Sequence, residues 1–164
     1  MAIFTCRHPV ARALLALPLA VGASQSLAAV DTEPFQVTAN VVSSCSIAAI
    51  ADLAFGAYDP ASGLPDLAQT TANVTCTLLT DYELTINDGL HTGRRMKDAG
   101  TNHLDYEVYS DVGMLQVWPS SAPGVAGVGL GLTAVPHIIY GSIAAGQNVP
   151  TGSYTDTLTM TVTW

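Results

Sequence analysis

The chain has 164 residues, of which 49% are hydrophobic and 11% charged, and its formal net charge at pH 7 is −8. This length suits one domain of ordinary size. The acidic balance argues against nucleic-acid binding, because contacts to phosphates need a basic face.

The first 28 residues predict a secretory signal peptide. Arg7, His8 and Arg12 precede a short apolar run, and small residues follow that run. This order is typical of a cleaved leader, and the apolar run is too short to span a bilayer. We expect cleavage after Ala28 or Ala29 and export through the inner membrane. Cleavage leaves 13 acidic residues against three basic ones, and we expect a soluble rather than membrane-embedded product.

Two cysteines, Cys45 and Cys76, remain in the exported chain. Export favours oxidation and two cysteines allow one pairing, so we predict a disulfide between them. Closing this loop contributes about 3–4 kcal/mol in the chain-entropy model. Two free buried thiols are the alternative. Neither cysteine lies near a C-x-x-C pair, and His91, His103 and His137 are scattered, so we expect no metal site and no cofactor.

The exported chain reads as β structure in chain order. Alternation of apolar and polar residues predicts strands with one buried face. The alternating segments are residues 35–41, 72–76, 82–86 and 104–108, the last continuing through 114–118, and then 154–164. Residues 122–136 are rich in glycine and predict a flexible loop or a loosely packed strand, and 137–154 predict a strand, a turn and a loop. Turn formers such as Asp59-Pro60 and Asp88-Gly89 separate them, which favours an all-β sandwich.

The last segment, Ser153 to Trp164, shows the clearest strand pattern. Tyr154, Asp156, Leu158, Met160, Val162 and Trp164 alternate with threonines. Threonine suits a strand because its β-branched side chain packs well on a pleated surface. The pattern leaves open what pairs with the far edge of this strand.

No set of titratable residues indicates an enzyme. Ser43-Ser44 lack the strand-to-helix turn of a hydrolase, and Asp105 and Glu107 alternate as on a solvated face. His137 precedes an apolar strand, where a surface or hydrogen-bonded histidine is commoner than a catalytic base. The glycine-rich run matches no phosphate-binding loop. We therefore expect no enzymatic activity.

Four segments, taken together, point to one family. They are "FQVTANVVSSCSI", "LAFGAYDP" (Leu53 to Pro60), "LDYEVYSD" (Leu104 to Asp111) followed by Trp118, and the C-terminal stretch from Tyr140 to Trp164. With Cys76 as the second cysteine, their order and spacing resemble the spore coat protein U domain family, which includes the pilins of archaic chaperone–usher (Csu-type) pili. The chain departs from the usual pattern at Pro119, Ala144 and Trp164.

This resemblance implies an immunoglobulin-like β-sandwich that is incomplete because it lacks its last strand. In such pilins a periplasmic chaperone fills the groove beside the last strand, and in the fibre the next subunit's N-terminal extension fills it. The chain then divides into a signal peptide (1–28), a donor-strand extension (29–43) and a pilin sandwich (44–164).

The resemblance also assigns residues to the inserted strand and to the groove that receives it. The donor strand would present Phe35, Val37, Ala39 and Val41. The acceptor groove, which also contacts the chaperone, would present Tyr154, Leu158, Met160, Val162 and Trp164. The alternative is that residues 35–41 form the first strand of their own sandwich.

We therefore expect a structural subunit of a surface pilus that serves adhesion and biofilm formation. Its expected partners are a periplasmic chaperone, an outer-membrane usher and neighbouring pilin subunits. One alternative is a spore or cell-surface coat protein of the same fold, without a pilus. A second alternative is a secreted carbohydrate-binding or adhesive module.

Overall fold

The computed structural model describes residues 29–164, and the predicted signal peptide lies outside the described residues. The chain divides into two compact units, Met1–Thr38 and Ala39–Trp164. Residues 29–38 of the first unit form neither strand nor helix. In the part of the chain that the structure describes, no helix is long and apolar enough to cross a membrane.

The second unit is built from eight β-strands in two sheets. The strands are β1 (Cys45–Ile47), β2 (Asp66–Cys76), β3 (Asp81–Ile86), β4 (Arg95–Lys97), β5 (His103–Tyr109), β6 (Val125–Val128), β7 (Val135–Ile143) and β8 (Met160–Thr163). A five-stranded sheet has the order β1-β2-β7-β5-β4, and a three-stranded sheet has the order β6-β3-β8. Every strand pairing is antiparallel. The predicted all-β, immunoglobulin-like class is thus confirmed.

Side chains from both sheets meet in one core. Ala72 and Val74 of β2 and Leu84 of β3 are completely buried. The predicted inward face of β5 is confirmed, because its alternate residues from Leu104 to Val108 are buried. Trp118, which follows β5, is the largest of the fully buried side chains.

The disulfide between Cys45 and Cys76 is present, with an S–S distance of 2.03 Å. The two residues are also direct partners in the register of β1 and β2. This bond ties the first strand of the sandwich to the end of β2.

Two segments predicted as strands are shorter in the structure. Residues 114–118 contribute only an isolated bridge between Val117 and Tyr109, because the Asp111 carboxylate accepts the N–H groups of residues 115 and 116 and forms a tight turn. In the last segment only Met160–Thr163 is a strand. Before it, Thr155 makes an isolated bridge to Lys97.

One charged side chain, Arg94, lies in the core. Its Nη2 donates hydrogen bonds to the carbonyl oxygens of Ile86 (3.0 Å) and Trp118 (2.6 Å). Its Nη1 donates to the carbonyl of Val108 at 3.3 Å and pairs with the Glu107 carboxylate. Arg94 therefore bridges β3 of one sheet and β5 of the other.

Candidate functional site: an open cleft beside the last strand

A cleft of about 460 Å³ opens between residues 50–55 and residues 154–160. Its floor comes from both sheets, with Ile86 of β3, Tyr106 of β5 and Ile139 of β7. A second cleft of about 550 Å³ shares some of these walls and lies between residues 53–60 and 149–154. The two clefts share Leu53, Phe55, Met96 and Tyr154 as lining residues, and we call them together the acceptor cleft.

Neither wall of the acceptor cleft has a strand paired to it across the opening. Residues 49–58 make no backbone–backbone hydrogen bond within residues 29–164. Asp156 and Leu158 of the opposite wall make none either within that range. Backbone N–H and carbonyl groups need hydrogen-bond partners. The two unpaired backbone edges, with apolar side chains between them, therefore offer a place where another strand can be added.

Side chains alternate along the wall formed by the last segment. The even-numbered residues from Tyr154 to Val162 are half-buried, and the threonines between them are exposed. Tyr154, Leu158 and Met160 line the acceptor cleft, and their use as acceptor residues stays a prediction. The predicted period of two therefore holds along residues 154–162, including the part that forms no regular strand.

Two of the predicted groove residues lie elsewhere. Val162 is half-buried against the core but does not line the cleft, because it lies farther along β8 than Met160, opposite Leu84 rather than Ile86. Trp164 is 55% exposed and lies beside Tyr82 and Val128, in a separate shallow depression. It follows Thr163, the last residue of β8 that pairs with β3. Backbone pairing therefore does not hold Trp164 in the strand or turn its side chain towards the cleft.

The first wall is held in place by β7 and by the loop after it. A Cβ added to Gly141 would lie 2.7 Å from Cζ of Phe55 and 2.8 Å from Cδ2 of Leu53. The hydroxyl of Tyr58 donates to the Ala144 carbonyl (2.9 Å) and accepts the Gln147 N–H (2.7 Å). Glycine at 141 thus lets this wall pack directly on the sheet.

The second wall is held by Asp156. Its Oδ2 accepts a hydrogen bond of 2.8 Å from the Tyr106 hydroxyl, and its Oδ1 accepts the Leu90 N–H at 2.8 Å. Gly89 permits this approach, because a Cβ at residue 89 would collide with the Asp156 carboxylate. Its φ of +82° also favours glycine at this position. Burial raises the pKa of Tyr106, and the bond to the Asp156 carboxylate raises it further.

The predicted donor residues are exposed. Phe35, Val37 and Val41 have 85%, 84% and 83% of their surface accessible, and Ala39 is exposed too. Residues 35–41 belong to no strand. Large apolar side chains exposed at a period of two are unusual in a single soluble chain. Their use as a donor strand stays a prediction.

Sequence reasoning missed the first wall as part of the site. Leu53 and Phe55 are half-buried while Ala54 between them is exposed, and Tyr106 of the floor is predicted only as part of the alternating strand 104–108. The available signal is weak: "DLAFG" is a short apolar run with large side chains two residues apart, bounded by Asp52 and Gly56.

Among the titratable groups of residues 29–164, one histidine–tyrosine pair lies inside the sandwich. No group of three or more His, Cys, Asp or Glu residues within 29–164 is placed to hold a metal ion. His137 Nε2 lies 2.8 Å from the Tyr82 hydroxyl. Burial lowers the pKa of His137 and raises that of Tyr82, so this pair is a neutral hydrogen bond within the sandwich.

Three similarities to known proteins accompany this geometry. The Spore Coat Protein U domain matches residues 31–161. "Protein U" of Myxococcus xanthus is 38% identical over 163 residues, which cover 88% of this chain and 90% of that protein.

The third similarity is to a solved structure, the CsuC–CsuE chaperone–tip adhesion subunit pre-assembly complex from archaic chaperone–usher Csu pili of Acinetobacter baumannii. One chain of that complex matches with a TM-score of 0.55 and 24% identity. The match covers 76% of this chain and 40% of that chain. At this identity the match shows a shared fold.

Proposed function

Because the chain belongs to the Spore Coat Protein U domain family, we propose that it is a structural subunit of a surface pilus whose copies are joined by strand exchange. The acceptor cleft is the observation that carries this proposal. It combines apolar side chains with two backbone edges that have no partner strand among residues 29–164. An added strand supplies hydrogen bonds to such edges and side chains to such pockets.

The proposed donor strand is residues 35–41 of a neighbouring copy. Phe35, Val37, Ala39 and Val41 share one face of an extended segment. Each large side chain of this face contributes about 1.5–3 kcal/mol when it leaves water, and the backbone ladder adds to that. The extended chain covers about 3.3 Å per residue, so the seven-residue run spans about 20 Å of the cleft.

The proposal includes the partners that such assembly needs. An exposed apolar cleft aggregates if it stays open, so we expect a periplasmic chaperone to cover it until the subunit is assembled. The similarity in fold to a chain of a chaperone–subunit complex supports this expectation. An outer-membrane usher and export to the cell surface complete the proposed route, and adhesion and biofilm formation are the proposed roles of the fibre.

The experiment that tests the proposal is co-expression of the full chain with and without its cognate chaperone. With the chaperone, we expect a soluble one-to-one complex. Without it, we expect self-association or degradation. A peptide of residues 33–44 added to the complex should displace the chaperone, and the same peptide with Val37→Asp should not. A chain that is a stable monomer alone and binds neither chaperone nor peptide would contradict the proposal.

A second candidate is a coat protein that uses the same strand exchange without a pilus. The observation that favours it is the higher identity, 38%, to Protein U, over nearly the full length of both chains. Both candidates use the same strand exchange between subunits and differ in the assembly that it builds, a pilus or a coat. Electron microscopy of cells with and without this gene distinguishes them, because a pilus gives fibres that extend from the surface and a coat gives a continuous layer.

A further inference from the structure

Four exposed leucines lie together at one end of the sandwich. Leu78, Leu79, Leu130 and Leu132 are 64%, 76%, 53% and 102% exposed. They belong to two loops, residues 77–80 and 129–133, and we call them the leucine patch. Hydrogen bonds join the loops, because Leu79 N–H donates to the Gly129 carbonyl at 2.9 Å and Gly129 N–H donates to the Thr80 carbonyl at 2.8 Å.

Leu79 has a backbone conformation that leucine disfavours. Its φ is +60°, in the left-handed region where glycine and asparagine are the usual residues. Its side chain is also largely in water. The left-handed backbone and the exposed apolar side chain of Leu79 both lower the stability of the isolated subunit. Nothing within residues 29–164 offsets this cost by burying the side chain. A contact with another molecule would supply the missing burial.

The patch is also free of charge in an acidic protein. Neither residues 77–80 nor residues 119–135 contain a charged side chain, although the whole chain carries a formal charge of −8. The charge nearest in sequence is the exposed Asp81, which follows the first loop and pairs with Val128. Two copies of this chain repel one another over most of their surfaces. The leucine patch is a surface where they can meet without placing like charges together.

The patch lies where the proposed donor strand leaves the sandwich. Ser44 N–H donates to Thr77 Oγ1 at 3.0 Å, Thr77 N–H donates to the Ser44 carbonyl at 2.9 Å, and the Cys45–Cys76 disulfide fixes the same point. From Val41 to Cys45 the extended chain reaches about 14 Å at most. A copy that holds Val41 in its cleft is therefore brought close to the leucine patch.

We infer that the leucine patch docks onto the copy of this chain that accepts the donor strand, as a second contact beside the inserted strand. This inference rests on the proposed function. The inserted strand alone would leave the two sandwiches joined through a short exposed segment. The patch adds apolar burial at that segment and fixes the orientation of one copy on the next.

The test uses multimers assembled in cells from the full chain with its chaperone and usher. Two variants, Leu79→Asn and Leu132→Ser, remove apolar surface without adding charge, and asparagine tolerates the left-handed backbone at residue 79. We expect the half-life of purified multimers in guanidinium to fall about tenfold for each variant, the effect of losing one buried leucine. The yield of the chaperone complex should not change. Ile138→Thr is the control, because Ile138 is 41% exposed on the five-stranded sheet.

Each other outcome overturns the inference in a distinguishable way. If the variants' multimers live as long as those of the wild type, the patch is no contact between copies, and the proposed function stands. If the variants lose the chaperone complex while multimer half-life is unchanged, the patch belongs to the chaperone contact. If the wild type itself forms no multimers, the proposed function fails and the inference fails with it.

Discussion

The hydroxyl of Tyr106 donates a 2.8 Å hydrogen bond to Oδ2 of Asp156, across the floor of the acceptor cleft. This bond joins the five-stranded sheet to the last segment of the chain, where the regular strand has not yet begun. A hydrogen bond to a charged group contributes about 1.5–3 kcal/mol. We therefore expect Tyr106→Phe to lower the free energy of unfolding by about 2 kcal/mol.

The measurement is guanidinium unfolding with both proteins in the same state of assembly. Tyr109→Phe is the matched control on the same strand, because its hydroxyl makes no hydrogen bond within residues 29–164. Equal losses in the two variants would contradict a specific role for the bond to Asp156.

The same residue predicts how stability depends on pH. Burial and the Asp156 carboxylate raise the pKa of Tyr106 above its ordinary value in the folded chain. Above about pH 10 the unfolded chain releases this proton while the folded chain keeps it, so stability falls as pH rises. One such group contributes a slope of up to about 1.4 kcal/mol per pH unit. Tyr106→Phe should make the alkaline decline shallower, and parallel curves from about pH 8 to 11 would contradict this.

Arg94 gives a third prediction because it is a buried cation with several acceptors. Arg94→Met removes the hydrogen bonds that Arg94 donates to Glu107 and to three backbone carbonyls. Glu107 keeps the Val108 N–H and the Val108 carbonyl keeps the Trp118 N–H. The Glu107 side chain is 36% exposed and regains water when Arg94 is removed. We therefore expect a loss of about 2–3 kcal/mol in guanidinium unfolding, the size of a hydrogen bond to a charged group. Arg95→Met is the control, since the Arg95 side chain is 42% exposed, and its loss should cost less than about 1 kcal/mol. Similar losses in both variants would contradict the assigned role.

The sequence predicts the strands well where burial alone decides them. Alternation in β2, β3 and β5 appears in the structure, because each of these strands has one face in the core. The disulfide follows from export and from the count of cysteines. The last strand is shorter than its pattern, because a regular strand also needs a paired neighbour, and alternation carries no information about neighbours.

The residues that the sequence does not predict depend on contacts between distant segments. Arg94 stands in the basic cluster "GRRMKDAG", where nothing in the sequence distinguishes it from Arg95 and Lys97. Its burial depends on carbonyls of residues 86, 108 and 118, which only the fold brings together. The first cleft wall is a similar case, since its position depends on Gly141 of β7. Trp164 continues the alternating pattern but lies beyond the last paired residue.

Gly141 gives a prediction for the cleft itself. A methyl group at this position would lie within 3 Å of Phe55 and Leu53, so the first wall must move outwards in Gly141→Ala. We expect the affinity for a peptide of residues 33–44 to fall at least about tenfold, which corresponds to about 1.4 kcal/mol. Fluorescence anisotropy of the labelled peptide measures this. Gly63→Ala is the control, because nothing lies within 4 Å of a Cβ there, and equal affinities in the two variants would contradict the assigned wall.

The most direct test of strand exchange compares two neighbouring substitutions in the donor run. Val37 and Thr38 point to opposite sides of an extended strand. Val37→Asp would bury an unpaired charge in the acceptor cleft, which costs several kcal/mol, whereas Thr38→Asp would face away from it. Both variants should still form the chaperone complex, because the proposed chaperone contact uses the cleft rather than the donor run. The account predicts multimers from Thr38→Asp and none from Val37→Asp, and equal amounts of multimer from both would contradict it.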